Sequence, residues 1–478
     1  MSAKISTNSR TAGGAESAPV DLPLTLDGTS GPQPSRVHQA LREAILSGRL
    51  TPGARLPPSR ALAEQLGIRR NAVVVAYEML LADELAESRV GSGTFVAARM
   101  PDTGAGPAAA TVPEIERPRG VFVLGRTTVD DVLQGQLRRA ITRRLSHIDP
   151  GHLGYGEPRG SLELRTRIAE HLAVARGVRC DPGNIMITSG TQHGIRLCLR
   201  SILSPGDAAW VEDPGYHAAK RALTAAGAVL VPVPVDAEGL VVAEGQARAP
   251  RARVAYVTPS HQFPMGVVMR MQRRIELLDW ARAADAWIIE DDYDSEYRYG
   301  GAPLTALAGI DGSQRVIYCG TFSKVLFPGL RLGYVVLPPV LVERVLADRE
   351  ALDRFPPSLL EGAIADLIGN GHLSAHVRRM RARYRAARDL VVDTLNAHSG
   401  GALDVQVPEQ GLHLVARLRP GHPPGMGDAV RRAATIHAGL LSEARLIPDP
   451  TDGFILGFSG HAMEDLREGA EKLGERCG

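Results

Sequence analysis

GTFSKVLFPGLRLGY, residues 320–334, is the stretch that decides the fold of the larger part of this chain. Lys324 follows a run of β-branched and small side chains, and it comes seven positions before Arg331. A lysine amine in such a position can form a Schiff base with an aldehyde. Thr321, Ser323 and Arg331 supply the hydrogen-bond donors and the positive charge that a phosphate group requires. The motif therefore predicts a lysine that binds a phosphorylated aldehyde covalently.

A carboxylate and a phenol end another predicted strand. In IEDDY, residues 289–293, Asp291 closes the strand and Tyr293 comes two positions later. Pyridoxal phosphate (PLP) acts as an electron sink only while its ring nitrogen stays protonated, and a buried carboxylate maintains that state. We therefore expect Asp291 to serve the pyridine nitrogen and Tyr293 to hydrogen-bond the ring hydroxyl.

Two further segments have residues suited to the phosphate and the ring of PLP. Gly190, Thr191 and Gln192 follow one predicted strand and open a helix, whose N-terminal amides and dipole favour a phosphate group. Tyr216, in DPGY at 213–216, is an aromatic residue that can stack on the cofactor. Each segment alone is also compatible with a capped helix or a turn. All four in this order favour a PLP site.

The composition excludes several classes of protein. No apolar run is long enough to cross a bilayer, and the first twenty residues lack the apolar region of a secretory signal. We therefore expect a cytoplasmic protein without a membrane partner. The four cysteines have neither CxxC spacing nor histidines in ligand register, so no metal site is predicted.

A basic patch lies near the N-terminus, although the formal net charge is only +2. Residues 36–70 contain seven arginines against two glutamates. This patch is compatible with a nucleic-acid surface and equally with an ordinary solvated face.

The patch coincides with a helix-turn-helix pattern. Residues 35–46 read as an amphipathic helix. Ser59 is expected to cap a short helix that Gly67 ends, and Asn71 to cap a longer one. Two helices joined by so short a glycine-containing turn make a helix-turn-helix. Two short strands around Gly91 then predict a wing.

The N-terminal end of the second helix in such a motif meets the major groove of DNA. Arg69, Arg70 and Asn71 occupy that end. Arg and Asn are the side chains that make bidentate contacts with guanine and adenine edges. A double-stranded DNA operator is therefore the expected partner.

The stretch LREAILSGRLTPGARLPPSRALAEQLGIRRNAVVVAYEMLLADEL at 41–85, followed by GSGTFV at 91–96, resembles the DNA-binding domain of the GntR superfamily. One departure is Val74, where some relatives have a further arginine. The resemblance implies DNA contacts from Arg60, Arg69, Arg70, Asn71 and the wing around Gly91.

Beyond that domain, YGEPRG at 155–160, TPSHQFPMG at 258–266, EDDYDSEYRY at 290–299 and GTFSKVLFPGLRLGY at 320–334 are similar to the MocR/GabR subfamily of GntR regulators. The resemblance runs from about residue 34 to the end. It implies a fold-type I aminotransferase-like domain and a head-to-tail homodimer in which each winged helix packs against the partner's large domain. It also implies roles for the following residues: Lys324 carries PLP, Asp291 faces the ring nitrogen, Tyr293 faces the ring oxygen, Tyr216 stacks, Thr191, Gln192 and Arg331 help to hold the phosphate, and His261 or Gln262 lines the site.

At the positions expected to bind an effector, this sequence has different residues from its relatives. His461 stands where we expect the arginine that grips a substrate carboxylate, and Ala218 stands where a GABA-sensing relative would have a second arginine. Met265 adds an apolar group where a smaller polar residue is frequent. The expected effector is therefore PLP itself, or an amine or amino acid that lacks the usual pair of carboxylates.

The whole sequence predicts a multi-domain protein: a disordered tail at 1–30, a small α+β winged helix-turn-helix at 31–97, a linker at 98–119 and an α/β PLP-binding domain with a mainly parallel sheet at 120–478. A linker fits the Pro-, Ala- and Gly-rich composition of its stretch. The predicted function is a PLP-dependent transcription regulator. A working aminotransferase with an appended DNA module and a scaffold without cofactor are the alternatives, and the missing carboxylate arginine counts against the enzyme.

Overall fold

The computed structural model describes Leu24, Leu26 and residues 31–98, 120–148, 153–423 and 425–478. The chain divides into two compact units, Met1–Ile115 and Glu116–Gly478. A search of the described residues finds no helix with the length and apolar character needed to cross a bilayer. Nearly all of the predicted linker and most of the predicted tail lie outside the described residues.

The first unit consists of α1 (Gln33–Leu46), α2 (Ser59–Gln65), α3 (Arg70–Ala82), β1 (Ala86–Arg89) and β2 (Gly93–Val96). The two strands pair antiparallel. Gly91 lies in the turn between them at φ +77°, and Gly67 adopts φ +64° where α2 ends. The winged helix-turn-helix is confirmed.

The two predicted caps are wrong. α2 begins at Ser59 itself and α3 begins one residue before Asn71, and neither helix has a side-chain cap. The carbonyls of Pro58 and Arg69 accept the first hydrogen bonds, from Leu62 at 3.1 Å and Ala72 at 2.9 Å. The backbone therefore turns into each helix one or two residues earlier than the capping pattern predicts.

The core of this unit forms where the apolar face of α1 packs against α3. Val37, Leu41 and Ile45 are at most 4% exposed, as the amphipathic pattern predicts. Leu24 joins the same cluster, although it belongs to the predicted tail. The Arg36 guanidinium also donates to the carbonyl of Leu26 at 2.9 Å. This part of the predicted tail packs on α1.

The second unit begins with α4 (Asp131–Ser146), α5 (Leu162–Ala175), β3 (Ile185–Thr188), α6 (Thr191–Ile202), β4 (Ala208–Asp213), α7 (His217–Ala225), β5 (Val229–Asp236), β6 (Gly239–Leu240), α8 (Val242–Arg248), β7 (Val254–Val257), α9 (Met271–Ala283), β8 (Trp287–Asp292), β9 (Val316–Thr321) and β10 (Gly333–Val336). It continues with α10 (Pro339–Leu352), α11 (Glu361–Gly369), α12 (His372–His398), β11 (Leu403–Gln406), β12 (His413–Leu418), α13 (Met426–Ala433), β13 (Gly439–Leu440), β14 (Gly453–Gly457) and α14 (Met463–Cys477).

Eight strands of this unit form one sheet in the order β3-β10-β9-β8-β7-β4-β5-β6. The five strands from β9 to β5 in this order run parallel, whereas β10 pairs antiparallel with both β3 and β9. Every residue of β7, β8 and β9 is buried, because a parallel sheet has helices on both faces. The predicted α/β fold with a mainly parallel sheet is confirmed.

A second sheet, which the sequence analysis did not predict, has the antiparallel order β11-β12-β14-β13. Its strands are two to six residues long. α12 and α14 contribute to the same core as this sheet, through Tyr384, Leu395 and Leu473 with Phe454 of β14.

Candidate functional site

A cavity of about 350 Å³ lies at the edge of the large sheet where β4, β8 and β9 reach their carboxyl ends. Parallel strands present their carboxyl ends at one edge, which is where α/β proteins bind ligands. Ten residues that the sequence analysis predicted for the cofactor line this cavity: Lys324, Asp291, Tyr293, Tyr216, Gly190, Thr191, Gln192, Thr321, Ser323 and Arg331. The fold thus brings together segments that lie more than a hundred residues apart in the chain.

Asp291 is a buried carboxyl with one unsatisfied oxygen. Its Oδ2 accepts a hydrogen bond from the Tyr256 hydroxyl at 2.6 Å. Its Oδ1 is buried and has no hydrogen-bond partner in the described part of the chain. Burial raises the pKa of Asp291 to about 7. A protonated pyridine nitrogen would satisfy the free oxygen and supply the missing charge, so this carboxyl fits PLP.

The other end of the cavity has the features of a phosphate site. Gly190, at φ +98°, precedes the N-terminus of α6, and a Cβ there would lie 3.6 Å from the guanidinium of Arg331. Arg331 adopts φ +50° after a 3₁₀ turn and, within the described residues, has no carboxylate partner. The side-chain amide nitrogen of Gln192 is buried without an acceptor. Exposed helix amides, a cation and a free donor together fit a phosphate.

The Lys324 amine lines the same cavity and lies against the backbone of Gly125. A Cβ on Gly125, which adopts φ +74°, would lie 2.2 Å from Nζ, so only glycine allows this approach. Burial lowers the pKa of Lys324. More of the amine is therefore neutral, and the neutral amine is the form that attacks an aldehyde.

His261 and Gln262, predicted to line the site, are buried and do not line this cavity. Gln262 donates to the Pro214 carbonyl at 3.0 Å and accepts from the Met265 amide at 3.0 Å, so it holds its own turn together. The His261 carbonyl accepts a hydrogen bond from the Tyr293 hydroxyl at 2.9 Å. His261 therefore contacts the cavity through Tyr293.

His261, Asp294 and His413 lie together behind Tyr293, with potential ligand atoms within 4.8 Å of one another. Sequence spacing predicted no metal site. Nδ1 of His261 lies 3.0 Å from Asp294, and Nε2 of His413 lies 3.0 Å from the Pro264 carbonyl. Nε2 of His261 is buried and has no hydrogen-bond partner in the described part of the chain, so these hydrogen bonds leave one ring nitrogen of the cluster unsatisfied.

The residues that depart from the relatives lie outside the cavity lining. His461 is buried, with Nε2 3.4 Å from the Val123 carbonyl and Nδ1 3.5 Å from the Arg126 guanidinium. Burial lowers the pKa of His461, so the ring is neutral near pH 7 and offers no charge for a carboxylate. Met265 packs in an apolar cluster with Ile455.

Sequence reasoning missed nine residues that line the cavity: Leu124, Gly125, His217, Tyr256, Thr258, Phe263, Pro328, Leu412 and His413. Thr258 and Phe263 belong to TPSHQFPMG at 258–266 and Pro328 to GTFSKVLFPGLRLGY at 320–334, two motifs that were already recognised and that could have indicated these residues. Leu124 and Leu412 come from segments far from every motif, where the sequence carries no comparable signal.

The residues predicted to contact DNA form an exposed surface on the first unit. Arg60, Arg69, Arg70, Asn71 and Gly91 are all exposed. Across the described ranges, none of the three arginines has a carboxylate partner. Arg70 donates to the Ser59 hydroxyl at 3.3 Å, which links the first turns of the two helices of the motif.

Comparisons with known proteins match each unit separately. Residues 33–96 match the bacterial regulatory proteins of the gntR family, and residues 125–454 match aminotransferase class I and II. The chain is 36% identical over 464 residues to the probable rhizopine catabolism regulatory protein MocR of Rhizobium meliloti, covering 92% of this chain and 93% of that protein. It is 32% identical over 459 residues to the pyridoxine biosynthesis transcriptional regulator PdxR of Corynebacterium glutamicum, covering 94% and 96%.

Solved aminotransferases have a similar fold. A kynurenine aminotransferase of Pyrococcus horikoshii, in complex with PMP, matches with a TM-score of 0.67 and 27% identity over 72% of this chain and 87% of its own. LysN, the alpha-aminoadipate aminotransferase of Thermus thermophilus complexed with N-(5'-phosphopyridoxyl)-L-leucine, matches with a TM-score of 0.67 and 25% identity over 75% and 91%.

Proposed function

The chain belongs to the MocR/GabR subfamily of GntR-type transcription regulators, and from this membership we propose that it controls transcription through PLP held on Lys324. PLP or a small amine that reacts with it would be the effector, and double-stranded DNA the target. The aminotransferase-like domain is thus proposed as the sensor of a DNA-binding protein.

The observation that carries the proposal is the pairing of unsatisfied groups at the two ends of one cavity. Among the described residues, the buried Asp291 oxygen at one end lacks a donor, and the Gln192 amide at the other lacks an acceptor. Buried polar atoms without partners are costly and require an explanation. PLP has a ring N–H for the first group and phosphate oxygens for the second.

Each of the ten predicted cofactor residues in the cavity lining has a defined task in this proposal. When bound, PLP supplies an aldehyde with which amines combine reversibly. Lys324 would hold the cofactor, Asp291 would keep its ring nitrogen protonated, and Tyr216 would flank its ring. Tyr293 would orient the ring hydroxyl. Gly190, Thr191, Gln192, Thr321, Ser323 and Arg331 would hold the phosphate.

DNA control requires a link between the two units. We propose a head-to-tail homodimer whose two DNA-binding surfaces contact two operator half-sites. Each surface consists of Arg60, Arg69, Arg70, Asn71 and Gly91. An effector changes DNA affinity only by its differential affinity for two arrangements of the dimer. Sedimentation of the protein with and without PLP and operator duplex tests the dimer directly.

The test of the cofactor assignment is the absorption spectrum of the purified protein, titrated with PLP and then with a panel of amines and amino acids. A cofactor band that shifts with an amine and remains shifted supports the sensor and gives the class of effector. Absence of any protein-bound band after PLP addition contradicts the assignment.

A working aminotransferase is the second candidate, because Lys324, Asp291 and Tyr293 line one cavity and the fold matches that of aminotransferases. Such an enzyme would convert the cofactor to its amine form with an amino acid and return it with a keto acid. Repeated turnover of such a pair supports the enzyme. A single, stable spectral change supports the regulator.

A further inference from the structure

The second unit contains another cavity, about 330 Å³ in volume, that is separate from the cofactor cavity. The segment after β8, the C-terminal end of α5 and the helix α12 enclose it. Its charged lining residues include Arg176, Arg298, Arg378, Arg381 and Glu296. We call this cavity the arginine pocket.

Two arginines from α12 bring positive charge that no carboxylate balances. Arg378 has neither a hydrogen bond nor an ion pair with any described residue. Arg381 donates from Nε and Nη2 to the carbonyl oxygen of Glu296, at 3.2 and 2.6 Å. A carbonyl satisfies the donors of a guanidinium but leaves its charge uncompensated.

Arg298 adds a third cation that is only partly satisfied. Its Nη1 donates to the amide oxygen of Gln410 at 3.2 Å. Its Nε is buried and has no partner in the described ranges. Its ion-pair contact, with Glu409, is 3.7 Å long, and the Glu409 side chain is 79% exposed, so solvent screens the interaction.

The remaining charged groups do not cancel this excess. Arg176 is already paired with the buried Asp292, at 2.7 Å. Glu296 is the one carboxylate among the described lining residues, and burial raises its pKa to about 7, so it is only partly ionised near neutral pH. The pocket lining therefore includes three arginines without a close carboxylate partner among the described residues, the half-buried Arg298 and Arg381 and the exposed Arg378.

This excess does not extend to every arginine of α12. Arg379 pairs with Asp130 at 2.6 Å, and Arg388 pairs with Asp389 at 2.6 Å. Unbalanced guanidinium groups in a concave site are the usual recognition elements for phosphates and polycarboxylates.

The arginine pocket shares its wall with the cofactor cavity. Along one segment, Asp291 and Tyr293 line the cofactor cavity, whereas Glu296 lines the arginine pocket. Similarly, Lys324 lines the first and Val325 the second. A ligand in the arginine pocket would therefore contact the same two segments that hold the proposed cofactor.

We propose that the arginine pocket is a second ligand site, which binds a compact anion with two or more negative charges, either a phosphate compound or a polycarboxylate. Through the shared segments, this anion adjusts the affinity of the cofactor cavity. By linkage, the state of the cofactor cavity adjusts the affinity for the anion to the same extent.

The test requires a protein whose cofactor cavity is closed to anions. The full chain is loaded with PLP, reduced with borohydride to fix the cofactor, and titrated calorimetrically with inorganic pyrophosphate and, separately, with citrate. The mass increase after reduction reports the proposed cofactor attachment independently of the titration. One saturable site per chain for either anion is expected, and which anion binds distinguishes the phosphate source from the carboxylate source.

Two variants on the same helix separate the pocket from general charge. Arg378→Ala is expected to weaken anion binding roughly tenfold or more, as loss of a charge-assisted contact does. Arg383→Ala removes the same charge from an exposed position outside the pocket lining and should change binding less than twofold. Arg378→Lys keeps the positive charge but replaces the planar guanidinium by a single ammonium group, so it should give an intermediate loss of anion affinity. Equal losses in both alanine variants, no saturable binding, or displacement of the anion by random-sequence duplex DNA overturns the proposal.

Discussion

The cofactor cavity of the large unit is enclosed by side chains from several strand ends and loops, whereas the DNA-binding surface of the small unit consists of exposed residues. In the cavity, atoms such as Asp291 Oδ1 are buried without a partner. On the surface, Arg69 and Arg70 are exposed, and exposed donors can bond to solvent at no cost. A ligand that binds in a buried cavity can thus be inferred from buried atoms that need a partner, whereas a partner of an exposed surface cannot. DNA contact is therefore inferred from position in the motif and from family membership.

The largest expected effect is confined to the cofactor cavity and leaves the DNA-binding surface unchanged. Lys324→Ala should abolish the imine absorption band of bound PLP, because no other amine lines the cavity within the described residues. Circular dichroism should remain unchanged, and basal affinity for operator DNA should be retained, since the reading surface is intact. Lys472→Ala, which removes an exposed lysine paired only with Glu468, is the control and should keep the band. A band that persists in Lys324→Ala would falsify the attachment.

The second prediction tests whether the unsatisfied oxygen of Asp291 contacts PLP. Asp291→Asn should weaken PLP binding roughly 10- to 100-fold, because a charge-assisted hydrogen bond to the ring nitrogen becomes neutral. Tyr256→Phe removes only the donor to the other carboxylate oxygen and should weaken binding by a few-fold. Fluorescence titration with PLP measures both. If the two variants lose affinity equally, Asp291 acts through its neighbour rather than on the cofactor.

Asp291→Asn, which should weaken PLP binding, should increase the stability of the protein without cofactor. Burial raises the pKa of Asp291 from 3.8 to about 7, so between these values the folded chain holds a proton that the unfolded chain has released. The free energy of unfolding therefore decreases as the pH rises through this window, by up to about 4 kcal/mol. Asp291→Asn should remove this decrease and be more stable than the parent at pH 8 by urea denaturation. A variant less stable than the parent at pH 8 would contradict the expectation.

How far the sequence predicted these regions depended on how local their signals are. The helix-turn-helix and wing are contiguous, so turn residues such as Gly67 and Gly91 were enough to delimit them. The sequence predicts six strands in the large unit, and all six belong to the large sheet as β3, β4, β7, β8, β9 and β10, because buried strands read as continuous apolar runs. These runs are NIMITSG at 184–190, AAWVEDP at 208–214, VAYVTPS at 254–260, AWIIEDD at 286–292, VIYCGT at 316–321 and GYVVLP at 333–338. By contrast, β5 contains Pro232 and Pro234 and was not recognised, since proline argues against a strand.

The lining of the cavity was predicted only in part, because only some of its residues lie in local sequence motifs. Residues within motifs, such as Asp291 and Arg331, were named correctly as neighbours of one cavity. Gly125 was missed because its importance arises from a contact with Lys324, about two hundred residues away, and no local pattern records such a contact. His461 was chosen by position along the chain, but its ring faces the Val123 carbonyl instead of the cavity.

A smaller effect tests the DNA-binding surface. Arg70→Ala should weaken binding to operator DNA by roughly 1–3 kcal/mol if this side chain reads a base edge. Binding to random duplex should change much less. Arg42→Ala removes the same charge from an exposed position on α1 and is the control. Gel-shift titrations on both duplexes at one fixed salt concentration measure the difference. Equal losses on operator and random DNA would identify Arg70 as a phosphate contact.

The smallest expected effect tests whether the close approach of Gly125 to Lys324 matters to the cavity alone. Gly125→Ala would place a Cβ 2.2 Å from Nζ, but the amine is the far end of a flexible side chain and can move. The cost should therefore be at the low end of overpacking, roughly 1 kcal/mol, or about a fivefold loss of PLP affinity.

Gly371→Ala is the matched control, since Gly371 has φ +72° against +74° for Gly125 and no described atom within 4 Å of the added carbon. Both variants carry the same backbone strain and should lose similar thermal stability, whereas only Gly125→Ala should lose PLP affinity. If Gly371→Ala loses as much affinity, the effect comes from backbone strain, and the contact with Lys324 has no part in shaping the site.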